Sequence, residues 1–225
     1  VEKPSLPQAK RSIGTFSFPT SEWRMQGKAA GDGAEYRLAF QAGQYSVDIN
    51  AASTKPPALH QGSGLVGLGR AGKSYYYSRT RLETTGTLSV DGEVRPVRGT
   101  AWMDHQWGDL SVAPVGWDWL SLQLNDGSEL MVSLVWDSAG HSPISGYGTY
   151  VPHDGPASNV GNDDIELTAT GSWTSPATGT VYPMGWTLLV KSLDLSLEIS
   201  PVQHDAEFAG SRSILPGYWE GAVAA

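Results

Sequence analysis

The sequence predicts an all-β protein built of antiparallel strands, and three observations support that prediction. Short stretches alternate between apolar and polar residues, as strands do when one face lies against a core. Turn signals separate these stretches, and 27 glycines are spread along the 225 residues. No stretch of ten or more residues repeats its apolar positions with helical spacing. Because antiparallel strands have unpaired edges that a barrel closes, small barrels are the expected architecture.

Four pairs of strands show an alternating run, a turn and a second alternating run. They are 35–40 with 44–49, 85–90 with 93–98, 119–124 with 129–136, and 185–190 with 193–199. The second pair is joined by Asp91 and Gly92, a dipeptide that suits the two positive φ angles of a tight hairpin turn. The glycine-rich stretch 138–162 is expected to be a loop, and 108–116 is expected to join two sheets.

Composition argues against several classes of function. The net charge is -8 with no basic stripe, so nucleic acid is not an expected partner. The absence of cysteine excludes a disulfide framework and a thiol nucleophile. No run approaches the roughly 18 apolar residues of a membrane helix, so stable membrane insertion is not expected. No phosphate loop or metal-ligand spacing is found, and we expect neither a cofactor nor a metal. The chain begins with Val1, which predicts a processed or trimmed start.

The polar cluster at 104–107 is the most site-like feature of the sequence. On a strand, His105 and Trp107 share one face while Asp104 and Gln106 share the other. An imidazole beside an indole can exchange a proton while the indole stacks on an unsaturated ligand. We therefore predict His105, Trp107 and Asp104 as catalytic residues, with Asp104 in a supporting role. The alternative is that His105 and Asp104 only hold a strand end by hydrogen bonds.

Aromatic residues elsewhere are candidates for the wall of a ligand cavity, because Trp and Tyr combine apolar bulk with a polar tip. Tyr75 and Tyr77 would share one face of a strand, and Trp117 and Trp119 would share a face of another. The full set of predicted ligand-binding residues is Tyr75, Tyr77, Trp102, Trp117, Trp119 and Trp219. The alternative is that these rings fill β cores and cross-strand pairs.

Four strings of the sequence stand in the order found in one known family. They are SYYYS at 74–78, GTAWMDHQWG at 99–108, GWDW at 116–119 and YWEGAV at 218–223. On these strings the chain resembles the AttH-like, carotenoid 1,2-hydratase (CrtC-type) family, whose members are often labelled secreted hydrolases. The similarity covers nearly the whole chain, and the string around His105 is its most specific part.

The resemblance implies two lipocalin-like β-barrels in tandem around a hydrophobic cavity, placed here at 1–110 and 116–225. Members hydrate isoprenoid double bonds, or fold a polyene for a Diels–Alder cyclisation. In the hydratase branch a His-x-Trp pair lines the site, which corresponds to His105 and Trp107. That branch also uses a Tyr and an acidic residue on a following strand, and 129–136 offers no such pair at its core positions.

The family's opening Glu-Trp-Trp-Tyr segment is missing, as is the strand that follows YWEG. The first barrel is therefore expected to lack its first strands, and the second barrel its last strand.

Three functions stay open at this stage. The first is an enzyme that hydrates, isomerises or cyclises an unsaturated isoprenoid or polyene. The second is a non-catalytic carrier of a lipid or isoprenoid, in which His105 would be dispensable. The third is a hydrolase, for which the sequence offers no Gly-x-Ser-x-Gly elbow. The expected partner is a hydrophobic small molecule, the family label favours a periplasmic or secreted location, and the oligomeric state is left open.

Overall fold

The computed structural model describes residues 15–20, 22–31, 33–53, 55–69, 72–110, 115–139, 142–208 and 217–225. Within these ranges the regular elements are β-strands and short 3₁₀ turns, so the all-β prediction is confirmed. No helix in the described part of the chain is long and apolar enough to cross a membrane. The strands are β1 Thr15–Pro19, β2 Trp23–Ala30, β3 Gly33–Ala42, β4 Tyr45–Ser53, β5 Ala58–Leu59, β6 Leu65–Gly67, β7 Gly72–Val90, β8 Glu93–Leu110, β9 Val115–Gln123, β10 Glu129–Asp137, β11 Pro143–Val151, β12 Ser158–Gly161, β13 Ile165–Thr174, β14 Val181–Val190, β15 Leu195–Pro201, β16 Glu207–Phe208, β17 Tyr218–Trp219 and β18 Val223–Ala224. The 3₁₀ turns span His60–Gly62, Asn162–Asp164 and Lys191–Leu193.

The strands form antiparallel sheets. The largest has eight strands in the order β1-β2-β3-β4-β7-β5, with β6 and β8 also paired to β7. Two four-stranded sheets follow the orders β12-β11-β10-β9 and β13-β14-β15-β18, and β16 pairs with β17. Among the described strands these sheets are open, and none closes into a barrel.

The chain divides into two compact units. The first comprises Val1–Ser145 and Thr149–Asn159, and the second comprises Gly146–Gly148 and Val160–Ala225. The two lipocalin-like domains expected at 1–110 and 116–225 stay a prediction. Residues 111–114 of the expected junction lie outside the described residues.

Turn chemistry accounts for the predicted hairpins. Asp91 and Gly92 join β7 to β8 with φ angles of 51° and 81°, the pair of positive values that the dipeptide predicted. Gly127, with φ 82°, lies in the turn between β9 and β10. The prediction of a loop over 138–162 was wrong, since the stretch contains β11 and β12. The glycines and serines of β11 conceal its alternation.

Among the described strands, the ladder between β7 and β8 is the longest, and its register is interrupted once. Its register shifts between Arg79 and Leu82, where two residues of β7 oppose one residue of β8. This is a β-bulge, and its two residues are Thr80 and Arg81. Before the bulge the odd-numbered residues of β7 face one side, and after the bulge the even-numbered residues face that side.

A buried carboxylate holds the bulge. Glu129 has no exposed side-chain surface and accepts hydrogen bonds from Arg81 Nε at 2.6 Å and Thr80 Oγ1 at 3.0 Å. Lys55 Nζ lies 2.9 and 3.1 Å from the two carboxylate oxygens. A buried carboxylate is stable only when its charge is paired and its oxygens are hydrogen-bonded, and this one meets both conditions.

One face of the eight-stranded sheet carries an apolar cluster. Its buried members are Ala34, Tyr36, Ala51 and Leu82, and its partly buried members are Phe16, Met25, Leu38, Ala101 and Met103. Over β1 to β4 an open groove of about 540 Å³ is lined in part by Phe16, Gly27 and Tyr36. Met103 precedes His105 by two residues on β8, so the apolar face continues into the predicted site.

Candidate functional site

The β7–β8 ladder separates the predicted polar cluster onto its two faces. The register sets Tyr77 opposite His105 and Ser78 opposite Asp104. Because side chains alternate along a strand, His105 lies on one face with Tyr77, and Asp104 lies on the other with Ser78. The expected separation of His105 from Asp104 is thereby confirmed.

The first of these faces, which we call the aromatic face, consists of Tyr75, Tyr77, His105 and Trp107. The rings of Tyr75 and Trp107 stack with centroids 5.5 Å apart, and the His105 ring is 4.5 Å from that of Trp107. Nδ1 of His105 lies 3.3 Å from the Tyr77 hydroxyl, within hydrogen-bond reach. Tyr75 is 52% exposed and Trp107 is 47% exposed, so both rings are open to a ligand.

Electrostatics keeps Tyr77 protonated. Burial raises the pKa of its phenol, and the nearby Tyr36 raises the pKa further, while Arg79 lowers it. The phenol is therefore a hydrogen-bond donor at neutral pH. In one tautomer of His105, Nδ1 accepts a hydrogen bond from the Tyr77 phenol, and in the other Nδ1–H donates to the phenol oxygen.

On the opposite face of the ladder, the Asp104 carboxylate accepts several hydrogen bonds. Oδ1 of Asp104 accepts hydrogen bonds from the Ser78 hydroxyl, from the Tyr76 hydroxyl at 2.9 Å and from the Trp102 indole at 3.0 Å. Trp119 Nε1 in turn donates to the Tyr76 hydroxyl at 3.1 Å. We call this set, together with His60 and Thr149, the Asp104 network.

His60 lies at the buried end of the network, with no exposed surface. Its Nε2 is 2.7 Å from Ser78 Oγ, its Nδ1 is 2.9 Å from Thr149 Oγ1, and its ring is 4.0 Å from that of Tyr76. Burial lowers the pKa of His60 to about 4, so the imidazole is neutral at pH 7. Since the Ser78 hydrogen goes to Asp104, we infer that Nε2–H donates to Ser78 and Thr149 donates to Nδ1.

The structure distributes the nine predicted site residues over several places. Four form the aromatic face, and Asp104, Trp102 and Trp119 belong to the Asp104 network. Trp117 lies on β9 and is 39% exposed. Trp219 lies in the second unit, where its indole is 5.9 Å from that of Trp186 and donates to the carbonyl of His204 at 2.6 Å. The catalytic and ligand-binding roles assigned to these residues stay predictions.

Four members of the network were not predicted from the sequence, namely His60, Tyr76, Ser78 and Thr149. No local signal marks them. His60 stands alone among glycines and prolines, and its partner Thr149 is 89 residues away in the chain. Tyr76 and Ser78 lie within the string 74–78, but only its odd-numbered tyrosines were chosen, since they share a face.

The fold and the site define a lipocalin-like β protein, in which an apolar sheet face ends at a cluster of Tyr, His and Trp. The chain belongs to the AttH-like family, whose profile matches residues 1–225. The family resemblance found in the sequence is thereby confirmed.

Relatives of the chain include one curated protein and two solved structures. Dehydratase asqC of Emericella nidulans is 26% identical over 187 residues, which are 79% of this chain and 52% of that protein. A Nitrosomonas europaea protein assigned to AttH superposes with a TM-score of 0.81 at 28% identity, covering 92% of this chain and 64% of the other. Kievitone hydratase of Nectria haematococca has a TM-score of 0.69 at 16% identity, covering 93% and 76%. The chain thus spans about half the length of the curated relative it matches.

Proposed function

We propose that this protein is a lyase that adds water to, or removes water from, a hydrophobic unsaturated small molecule. The observation that supports this best is the Tyr77–His105 pair beside Trp107, at the end of an apolar sheet face. The names of two relatives support the same class of reaction, since one is a dehydratase and the other a hydratase. An isoprenoid or polyene is the proposed substrate class, because a flat unsaturated chain can stack on the exposed rings of Tyr75 and Trp107.

The Tyr77–His105 pair supplies both the general base and the general acid that the reaction needs. In the dehydration direction, Nε2 of His105 takes a proton from the carbon next to the one that bears the hydroxyl. Nδ1–H of the same ring donates to the oxygen of Tyr77, which orients its phenol hydrogen toward the leaving hydroxyl. The phenol protonates that hydroxyl, water departs and the carbon–carbon double bond forms. The proton on Nδ1 then passes to the phenolate across the 3.3 Å contact, and the exposed ring regains its starting tautomer by releasing the Nε2 proton to solvent and taking one up at Nδ1. Hydration follows the same steps in reverse.

The residues that most resemble a hydrolytic triad do not support the hydrolase alternative. His60, Ser78 and Asp104 are of the residue types found in such triads, but Ser78 is bonded to both of the others and separates them. A nucleophilic serine requires its histidine to take the hydroxyl proton, whereas the Ser78 hydrogen is directed to the carboxylate. Ser78 is also fully buried, out of reach of a substrate.

A carrier function is the second candidate, and the open groove over β1 to β4 favours it. The groove has a volume of about 540 Å³, and its lining combines the Phe16 and Tyr36 rings with polar and charged side chains such as Lys28 and Glu35, so an amphipathic ligand could bind there without any chemistry. The two functions differ in what they require of His105.

The test measures binding and turnover in one set of proteins. Wild type, His105→Ala and Tyr77→Phe are incubated with polyene and isoprenoid alkenes and alcohols in ¹⁸O-labelled water, and products are read by mass spectrometry. With wild type, we expect each substrate molecule to gain or lose one water. With each variant, we expect this reaction to be about 100-fold slower or worse, since general acid–base groups contribute about that much. His153→Ala is the matched control, because His153 is an exposed histidine whose ring pairs with the exposed side chain of Asp154.

Tryptophan fluorescence quenching supplies the affinity of the same ligands for each protein. Equal binding to wild type and His105→Ala, with ligands recovered unchanged from both, would refute the lyase proposal and favour a carrier. Equal turnover in wild type and His105→Ala would refute the assignment of the site.

A further inference from the structure

We propose that His60 is a positioning residue for the Tyr77–His105 pair, acting through Ser78 and Asp104 from the opposite face of the β7–β8 ladder. Its kinetic consequence rests on the proposed function, whereas its effect on the geometry of the pair can be measured without any substrate.

The backbone fixes His60 against β7. Strand β5 pairs Leu59 with Tyr77, so the next residue enters a 3₁₀ turn beside that strand. The amide of Gly64 donates to the carbonyl of His60 at 2.8 Å, and the amide of Tyr76 donates to the carbonyl of Gly64 at 2.7 Å. Gly64 has φ 77°, a conformation that favours glycine and lets the turn fold back on the strand. The backbone of His60 is thus fixed at both ends of its turn.

The side-chain link from His60 to Asp104 is continuous and excludes water at its inner end. His60 and Ser78 are fully buried, so no solvent competes for the bond between Nε2 and Oγ. The Ser78 hydroxyl donates to Asp104, so its oxygen is left to accept from Nε2 of the histidine. Thr149 satisfies Nδ1, so both ring nitrogens of His60 are bonded and the ring cannot turn without losing a bond.

The two faces of the ladder are coupled because neighbouring residues share a backbone. Ser78 and Asp104 are opposite one another, as are the adjacent Tyr77 and His105. The bond between Ser78 and Asp104 therefore adds a side-chain restraint to the backbone ladder at the point where the phenol meets the imidazole. Without this bond the local twist of β7 against β8 can change, and with it the distance between the phenol and the imidazole. A displacement of about 1 Å in a catalytic pair is enough to lower a rate about 100-fold.

Two pairs of variants test this role. His60→Leu keeps the volume and removes both polar nitrogens, whereas His60→Gln keeps an amide N–H that can donate to Ser78. Ser78→Ala removes the link itself. Thr80→Ala is its matched control, because it also removes a buried hydroxyl from β7, but that hydroxyl is bonded to Glu129. The readouts are the ¹⁵N signals of the His105 ring in the ligand-free protein, and kcat with KM for any substrate that is turned over.

We expect His60→Leu and Ser78→Ala to shift the His105 ring signals and to lower kcat by tenfold to about 100-fold. KM should change less than twofold, because neither residue lies on the aromatic face. His60→Gln should recover most of the wild-type signal and rate, and Thr80→Ala should leave the His105 signals unchanged. Where His60→Leu does not fold, Ser78→Ala carries the test, because the smaller side chain introduces no clash.

The outcomes separate this inference from the proposed function. If Ser78→Ala and Thr80→Ala affect the His105 signals equally, or if His60→Gln is no better than His60→Leu, the positioning role is wrong. If the signals move as expected while wild type turns over no substrate, the positioning role stands and the lyase proposal fails.

Discussion

Acid should destabilise this protein through His60 in a defined range of pH. The pKa of His60 is about 4 in the folded protein because of burial, and the ordinary value of 6.5 applies to the unfolded chain. Between these values the unfolded chain binds a proton that the folded protein does not, so the free energy of unfolding falls as the pH falls from 6.5 to 4. The gap is roughly 2.5 pH units, and each unit corresponds to about 1.36 kcal/mol. The full loss through this one residue is therefore about 3 kcal/mol.

The assay is urea unfolding, followed by tryptophan fluorescence, at intervals from pH 7.5 to 4 for wild type and His60→Gln. Glutamine does not titrate, so the wild-type free energy of unfolding should fall by about 3 kcal/mol more than that of the variant over this range. Carboxylates whose pKa the folded state lowers, such as Asp48 and Glu207, also lose stabilisation in acid. They do so in both proteins, and their contribution cancels in the difference. Parallel curves for the two proteins would refute the reasoning, since His60 would then titrate alike in the folded and unfolded states.

Two further substitutions test the packing of the first unit. Glu129→Gln should lower the free energy of unfolding by about 3–5 kcal/mol in urea titrations, because Lys55 and Arg81 would keep their charges without a buried counter-charge; a loss below about 1 kcal/mol would show that the two cations find other partners. Gly116→Ala should cost about 1–3 kcal/mol and alter the near-ultraviolet circular dichroism of Trp136, since an added Cβ would lie 2.0 Å from that indole and displace its N–H from Asp118. Gly99→Ala, where an added Cβ meets nothing within 4 Å, is the matched control, and equal losses in the two alanine variants would contradict the packing argument.

Local sequence patterns were sufficient to predict the fold class and the placement of His105 and Asp104 on opposite faces of their strand. The hairpin at Asp91 and Gly92 follows from two residues whose φ angles the dipeptide already predicts. The separation of His105 from Asp104 follows from alternation alone, which needs no knowledge of the neighbouring strands. The family strings around His105 were sufficient to identify the AttH-like family.

Features that depend on distant partners could not be predicted in the same way. His60 becomes part of a site only when a short turn brings it to Ser78 and Thr149, and nothing near it in the chain signals those contacts. Strand β11 was missed because its glycines hide the alternation that marks a strand. Closure of a barrel depends on pairing between strands far apart in the chain, and the described strands form open sheets instead.

The bulge in β7 reverses the alternation of side chains along that strand. Odd-numbered residues before the bulge therefore share a face of the sheet with even-numbered residues after it. A deletion of one bulge residue, Thr80 or Arg81, would restore a regular ladder with β8 and leave Tyr77 and Leu82 on the face that they now share. The loss would then be a bond to Glu129 and not a change of face. A deletion of one residue elsewhere in the β7–β8 ladder would keep the bulge and turn the residues on one side of the deletion onto the opposite face. The length of β7 on either side of the bulge is therefore under a constraint that no single side chain reveals.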